Sequence, residues 1–146
     1  MHRLVIDLVD LNTYIRFNSG YRYLLNCIDA FTQYTWSFPI KRKKSEDVCE
    51  CLEKIFVTFG PPAIVQSDNG GEFIGSELTN WLGELGMKVI NSSAYHPQSQ
   101  GYVERFNQTI ERELGKRIAE NGNKRWIDYL ANANCSYNCT IHNTTK

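Results

Sequence analysis

The sequence predicts a mixed α/β domain, a five-stranded sheet with helices on both faces. Three strand-like stretches come first, at residues 4–9, 21–28 and 34–40, separated by turn signals. From residue 45 onward the apolar period becomes helical and alternates with two short strands, at 63–66 and 87–90. An antiparallel meander of three strands, followed by alternating helices and strands, buries a mixed sheet between two helical layers.

Leu4 to Val9 is a near-continuous apolar run interrupted only by Asp7, the signature of a central strand. Residues 12–20 are polar and end on Asn18-Ser19-Gly20, a turn signal. Tyr21 to Ile28 forms the second strand. In the third, Tyr34, Trp36, Phe38 and Ile40 alternate with Thr35, Ser37 and Pro39, giving one aromatic face. Pro39 has no N–H to donate, so it marks either an edge strand or a strand terminus. Ser45 caps the first helix, and Glu46 and Asp47 suit its first turn. Val48, Leu52, Ile55, Phe56 and Phe59 give that helix an apolar face, and Gly60-Pro61-Pro62 stops it. The fourth strand, Ala63 to Gln66, leads to Asp68 at its carboxyl end, where open α/β sheets collect ligand sites. Leu78, Trp81, Leu82 and Leu85 mark a second helix ended by Gly86, and Met87 to Ile90 is the fifth strand. A loop framed by Pro97 and Gly101 leads into a long helix with the stripe Val103, Phe106, Ile110, Leu114 and Ile118, stopping near Asn121-Gly122. Trp126, Leu130, Ala133, Tyr137 and Ile141 mark a last amphipathic helix.

The 146 residues are one domain, long enough for a core. No apolar run approaches the ~20 residues of a membrane span. Met1-His2-Arg3 leads directly into a strand with no signal peptide, so an intracellular location is expected. Sixteen basic residues balance sixteen acidic ones. That argues against tight unaided DNA binding, but not against a carboxylate cluster built for metal. Five cysteines without a secretory signal suggest reduced thiols. Cys135, Cys139 and His142 fall at helical spacing and offer three zinc ligands, with no fourth nearby. The basic run from Lys41 to Lys44 reads either as a solvated connector or, through Lys43 and Lys44, as a phosphate-contacting patch.

Three carboxylates stand out. Asp7 lies inside an apolar strand. Asp68 opens the Gly-rich turn Ser67-Asp68-Asn69-Gly70-Gly71-Glu72-Phe73. Glu104 is expected on the first turn of the long helix, at the edge of its stripe beside Asn107 and Glu111. Alone, Glu104 needs no more reason than the helix dipole. Hard carboxylate oxygens held on rigid elements are also what Mg²⁺ takes. Asp10 competes with Asp7 in the first strand, but Asp7 is the one inside the apolar run. Asp29 reads as a strand-end turn residue.

Asp7, then Asp68 and Glu104 with 35 residues between them, resemble the catalytic core of retroviral and gypsy-type retrotransposon integrases and of host genes derived from them. The turn at Ser67–Phe73 and the segment His96-Pro97-Gln98-Ser99-Gln100-Gly101-Tyr102-Val103-Glu104-Arg105 carry the rest of the resemblance, which covers essentially the whole chain. It implies a ribonuclease-H-like fold, with residues 1–146 an integrase catalytic core cut from, or surviving from, a longer protein. It implies Asp7, Asp68 and Glu104 as catalytic residues and as ligands of two Mg²⁺ or Mn²⁺ ions, with Asp7 bridging. The implied activity is that of a polynucleotidyl transferase and endonuclease: 3′-end processing and strand transfer of element DNA, in the nucleus. Tyr95, His96, Pro97, Gln98, Ser99 and Gln100 match a flexible active-site loop that contacts DNA, and Asn107 matches a position beside the site. Gln108 and Glu111 stand where relatives often carry DNA-gripping basic residues, so weak DNA binding is expected. A symmetric homodimer is implied, through helices away from the site; the helix from Ser45 and the last helix, with Trp126 and Tyr137, are the candidates. A domesticated DNA- or protein-binding module without catalysis is the alternative. A ribonuclease H shares fold and metals, but the 35-residue spacing and the His96-to-Glu104 motif count against it.

Overall fold

In the computed structural model, which describes residues 1–67, 76–91 and 97–140, the apolar run at the start becomes β1 (Arg3–Asp10), the middle strand of the sheet. Beside it lie β2 (Tyr23–Asp29) and β4 (Ile64–Gln66), and outside them β3 (Thr35–Ile40) and β5 (Lys88–Ile90). The first three strands pair antiparallel, with Asp7 opposite Asn26 and Asn26 opposite Ser37. β4 runs parallel to β1, and β5 parallel to β4. The expected five-stranded mixed sheet is present, and Pro39 does lie on an edge strand.

Four helices cover it: α1 (Ser45–Phe59), α2 (Ser76–Glu84), α3 (Pro97–Asn121) and α4 (Leu130–Cys139). Strand alternation divides the core. Leu4 and Ile6 join Leu25, Cys27 and Val65 under Val48, Leu52 and Ile55 of α1 and Leu78 and Leu82 of α2. Val5 and Val9 face the other way, toward Val103, Phe106 and Ile110 of α3. The period of two therefore sets Asp7 on the α3 face, between two valines. Each fully buried Leu or Ile contributes about 1.5–3 kcal/mol. A one-residue slip of β1 would turn both layers inside out, so the register is strongly held.

Three elements differ from the sequence expectation. Within residues 12–20 a 3₁₀ helix forms at Asn12–Phe17. Asn18 follows it, fully buried, with its Nδ2 donating to the carbonyls of Tyr14 (2.8 Å) and Lys124 (2.9 Å) and its Oδ1 accepting from the Ile127 N–H (3.0 Å). One side chain thus ties the early turn to the α3–α4 connection. The long helix starts at Pro97, not after Gly101. Proline suits the first helical position, where its missing N–H would have no intrahelical partner and its fixed φ is already helical. The last helix is broken: Trp126–Asp128 is a 3₁₀ turn, with Trp126 fully buried, and α4 begins at Leu130. α3 stops at Gly122, whose φ of +66° suits glycine and whose N–H reaches the Ile118 carbonyl at 3.0 Å.

α4 is fastened to the edge strand by amides. The Thr35 N–H and hydroxyl both donate to Asn138 Oδ1 at 2.8 Å. The Thr35 carbonyl accepts from Asn138 Nδ2 (2.9 Å) and Asn134 Nδ2 (3.0 Å). Among the described residues no helix is long and apolar enough to cross a membrane.

Asn18→Ala removes all three side-chain bonds at a site closed to water. It is expected to cost about 2–3 kcal/mol, because the groups it leaves lose their partners. For a domain of this size that is a fall in Tm of about 6–9 °C, measurable by calorimetry. A change below about 2 °C would mean that the tie contributes little.

Candidate active site

Asp7 is half-buried in the middle of the central strand. Its Oδ1 accepts from the Leu8 N–H at 2.9 Å, and its Oδ2 accepts from Asn107 Nδ2 at 2.6 Å. Asn107 projects from α3 into the same layer as Val103 and Ile110, one turn to either side. Its Oδ1 accepts in turn from Asn26 Nδ2 at 2.8 Å, and Asn26 Oδ1 accepts from the Ser37 hydroxyl. Asn26 is fully buried. A carboxylate in an otherwise apolar layer is tolerable because strong, charge-assisted bonds satisfy it there.

Glu104 is exposed and lies one turn before Asn107. On a helix such neighbours have Cβ atoms about 5–6 Å apart. Because α3 begins at Pro97, Glu104 sits about two turns in, not on the first turn. The dipole fades beyond the first turn, so it no longer accounts for this glutamate. Asp10 is exposed at the end of β1. Asp29 closes its own turn, accepting from the Phe31 N–H (3.3 Å) and the Thr32 hydroxyl (2.7 Å).

The described residues therefore bring Asp7 and Asn107 together at the seam between β1 and α3, with Glu104 exposed on α3 one turn before Asn107. Asp68, Tyr95 and His96 lie outside the described residues. Gln98, Ser99 and Gln100 fall in the first turn of α3, not in a loop; their side chains lie outside what is described. Gln108 and Glu111 are exposed on α3. The basic run stands elsewhere, at the Asp10 end of the sheet. Lys43 Nζ lies 5.2 Å from the centre of the Tyr23 ring, and Tyr23 pairs with Asp10. Lys44 is exposed where α1 begins. Asn26 and Ser37 were not singled out from sequence. The available signal was a lone amide inside Leu24-Leu25-Asn26-Cys27-Ile28.

Asp7 and Glu104 are hard-oxygen donors that fit a divalent cation such as Mg²⁺ or Mn²⁺. Among the described residues no three His, Cys, Asp or Glu side chains gather closely enough to hold a metal. The thiols do not supply an alternative. Burial pushes Cys27 up and Cys51 up to about 11, which keeps both protonated. Cys135 and Cys139 are exposed on α4, where a hydrogen bond from its partner raises the Cys139 thiol; His142 lies outside the described residues.

Residues 1–97 match the sequence profile of the integrase core domain. The Gag-Pol polyprotein of Koala retrovirus is 40% identical over 112 residues, which is 76% of this chain and 7% of the polyprotein. That of Gibbon ape leukemia virus is 39% identical over 112 residues, with the same coverage. The chain thus spans a small fraction of these relatives. Among solved structures, the simian T-cell lymphotropic virus intasome in complex with PP2A regulatory subunit B56 gamma superposes with a TM-score of 0.78 at 22% identity, over 96% of this chain and 49% of that one. The HTLV-2 integrase catalytic core domain in complex with magnesium, in its dimeric form, gives 0.76 at 19% identity, over 99% and 91%. The fold is the ribonuclease-H-like fold of integrase catalytic cores, and with its first 97 residues matching their profile the chain belongs to the integrase core domain family.

Proposed function

We propose that this domain is a polynucleotidyl transferase core that carries out metal-dependent 3′-end processing and strand transfer of retroelement DNA in the nucleus, with Asp7, Asp68 and Glu104 as its catalytic carboxylates. The observation that carries the reading is Asp7, a carboxylate held by hydrogen bonds from the Leu8 N–H and from Asn107 of α3, the helix on which Glu104 stands exposed one turn earlier. A pair of Mg²⁺ or Mn²⁺ ions, when bound, neutralises the attacking and leaving oxygens of an in-line phosphodiester exchange and activates the attacking one. That a similar core was solved with magnesium supports this choice of ion. Asp7, Asp68 and Glu104 would hold the ions through their carboxylate oxygens. Tyr95, His96, Gln98, Ser99 and Gln100 would meet the DNA ends, and Asn107 keeps Asp7 in one rotamer.

A second reading, a binding module that no longer catalyses, has an observation of its own. Gln108 and Glu111 are exposed on the helix that carries Glu104 and bring no positive charge, and the chain as a whole is neutral. The two readings part on chemistry rather than on binding.

Metal binding is expected to raise the Tm by mass action. A few millimolar Mn²⁺ should stabilise the wild type and have little effect on Asp68→Asn, followed by differential scanning fluorimetry. Equal stabilisation of both would remove Asp68 from the site.

Strand exchange runs in both directions through one in-line geometry. The direction that reseals a branched DNA presents its reacting groups already joined, so it asks least of DNA grip. The isolated domain with Mn²⁺ is therefore expected to resolve a branched substrate while joining few free ends to target. Glu104→Gln keeps the side-chain volume and should abolish resolution. Gln108→Lys with Glu111→Lys should steepen the salt dependence of binding by about two phosphate contacts and leave the metal requirement unchanged. A folded, Mn²⁺-binding wild type with no resolving activity would favour the retired module.

Of the two aromatic candidates for the homodimer, Trp126 is fully buried, whereas Tyr137 packs on Phe106, with ring centres 4.7 Å apart, and stays partly exposed. Val57 and Phe59 at the end of α1 are 81% and 52% exposed, and Tyr34 packs beside Phe59. This apolar end supports a symmetric dimer through α1, and the dimeric form of the similar core is consistent with it. Sedimentation at tens of micromolar should give a dimer, an order-of-magnitude choice for a moderate interface. Val57→Glu with Phe59→Glu should give a folded monomer; an unchanged dimer would assign the interface to another face.

A further inference from the structure

The seam holds more polar groups than the carboxylate needs. Asp7, Asn26 and Ser37 are register partners on three adjacent strands, and Asn107 closes over them from α3. The donor direction is the same at every link. An ionised Asp7 only accepts, so Asn107 must present its NH₂ to it. The Asn107 carbonyl oxygen then faces Asn26, which must present its own NH₂. The Asn26 carbonyl oxygen is left facing Ser37, whose hydroxyl donates. Reversing either amide would set two acceptors or two donors against each other inside the protein, at the cost of a buried unsatisfied pair.

We infer that Asn26 and Ser37 are positioning residues for the metal-binding carboxylate: through Asn107 they hold Asp7 in a single rotamer. The inference rests on the metal reading of Asp7 and adds two residues, on β2 and β3, that touch neither metal nor DNA. Nothing about packing requires them. The neighbouring positions on the same face of β2 are Leu24 and Ile28, both fully buried, and an apolar residue at 26 would fit that layer without needing a partner. Partners that orient a ligand from behind commonly change metal affinity by 10–100-fold. The effect here should be graded by distance along the relay. Ser37 acts at three removes from the metal, and Asn26 at two.

The test uses the whole domain and two readouts. In the metal-free protein, the side-chain NH₂ of Asn107 is followed by ¹H–¹⁵N NMR. In wild type it should give two resolved, slowly exchanging protons, as expected of an amide held in one orientation. Ser37→Ala and Asn26→Leu should broaden them or move them toward solvent-exposed values, while Ser37→Thr, which keeps the hydroxyl, should not. Mn²⁺ affinity, measured by electron paramagnetic resonance, should fall about 3–10-fold in Ser37→Ala and at least about tenfold in Asn26→Leu, and stay within about twofold in Ser37→Thr. If Asn26→Leu does not fold, Ser37→Ala and Ser37→Thr decide the matter. Unchanged Asn107 protons in Ser37→Ala would overturn the relay. Altered protons with unchanged Mn²⁺ affinity would overturn its role toward metal. A wild type that binds no Mn²⁺ would sink the metal reading and this inference with it, whereas wild-type binding matched by folded Ser37→Ala and Asn26→Leu would sink the inference alone.

Discussion

The hydrogen bond from Asn107 to Asp7 sits at the centre of the contact between α3 and β1, and the rest of the arrangement depends on two periods coinciding there. Two residues of strand advance about 6.6–6.8 Å, and four residues of helix about 6 Å. Val5, Asp7 and Val9 can therefore lie against Val103, Asn107 and Ile110 in matched order. The outer pairs are apolar and belong to the cores on that face. The middle pair is polar and satisfies itself. A carboxylate left alone in that layer would cost several kcal/mol. The asparagine makes the charge affordable, and it does so from the helix that carries Glu104. Strand register, helix register and carboxylate geometry are thus one constraint.

How much of this the sequence displayed depends on how local each cause is. The strands and their two faces were legible because alternation is a local property: Leu4, Ile6, Leu25 and Cys27 declare one side and Val5, Val9 and Leu24 the other. The start of α3 was not. Pro97 and Gly101 look like loop punctuation within a short window, and only the packing of Tyr102 and Val103 against Val5 and Ile28 shows the helix running through them. The turn at Asn12–Phe17 was hidden for a related reason, since the bonds that hold Asn18 reach residues more than a hundred positions away. Trp126 had the right apolar period for a helix, yet its place is a plug in the core. In the site, Asp7 was conspicuous because a charge in an apolar run asks for a reason. Asn26 breaks its own run just as plainly, but an amide asks only for a partner, and that partner sits 81 residues away.

The division of labour within α3 bears on what the family's machinery needs. One side of the helix is committed to the seam, through Val103, Phe106, Asn107 and Ile110. The flank beside it, with Glu104, Gln108 and Glu111, faces solvent. On the proposed function, geometry for chemistry is built into the core, where a change would disturb folding. Grip on a polyanion is written on the surface, where charges come and go at little cost to stability. A neutral domain with an intact interior seam is the combination such a separation permits.

The amide clasp between Asn138 and Thr35 has a consequence for the sheet's open side. On β3 the carbonyls of Tyr34 and Ile40 point inward to the Asp29 and Arg22 N–H groups, so the odd-numbered residues turn their backbone outward. Of these, Thr35 has both groups taken by a helix side chain, and Pro39 has no N–H to offer. Ser37 is left as the only outward donor along the strand. A segment from another molecule seeking to extend the sheet here would meet one N–H donor and the carbonyls of Ser37 and Pro39, where a ladder needs donors and acceptors in sequence. The β3 border of the sheet is thereby a poor template for strand recruitment.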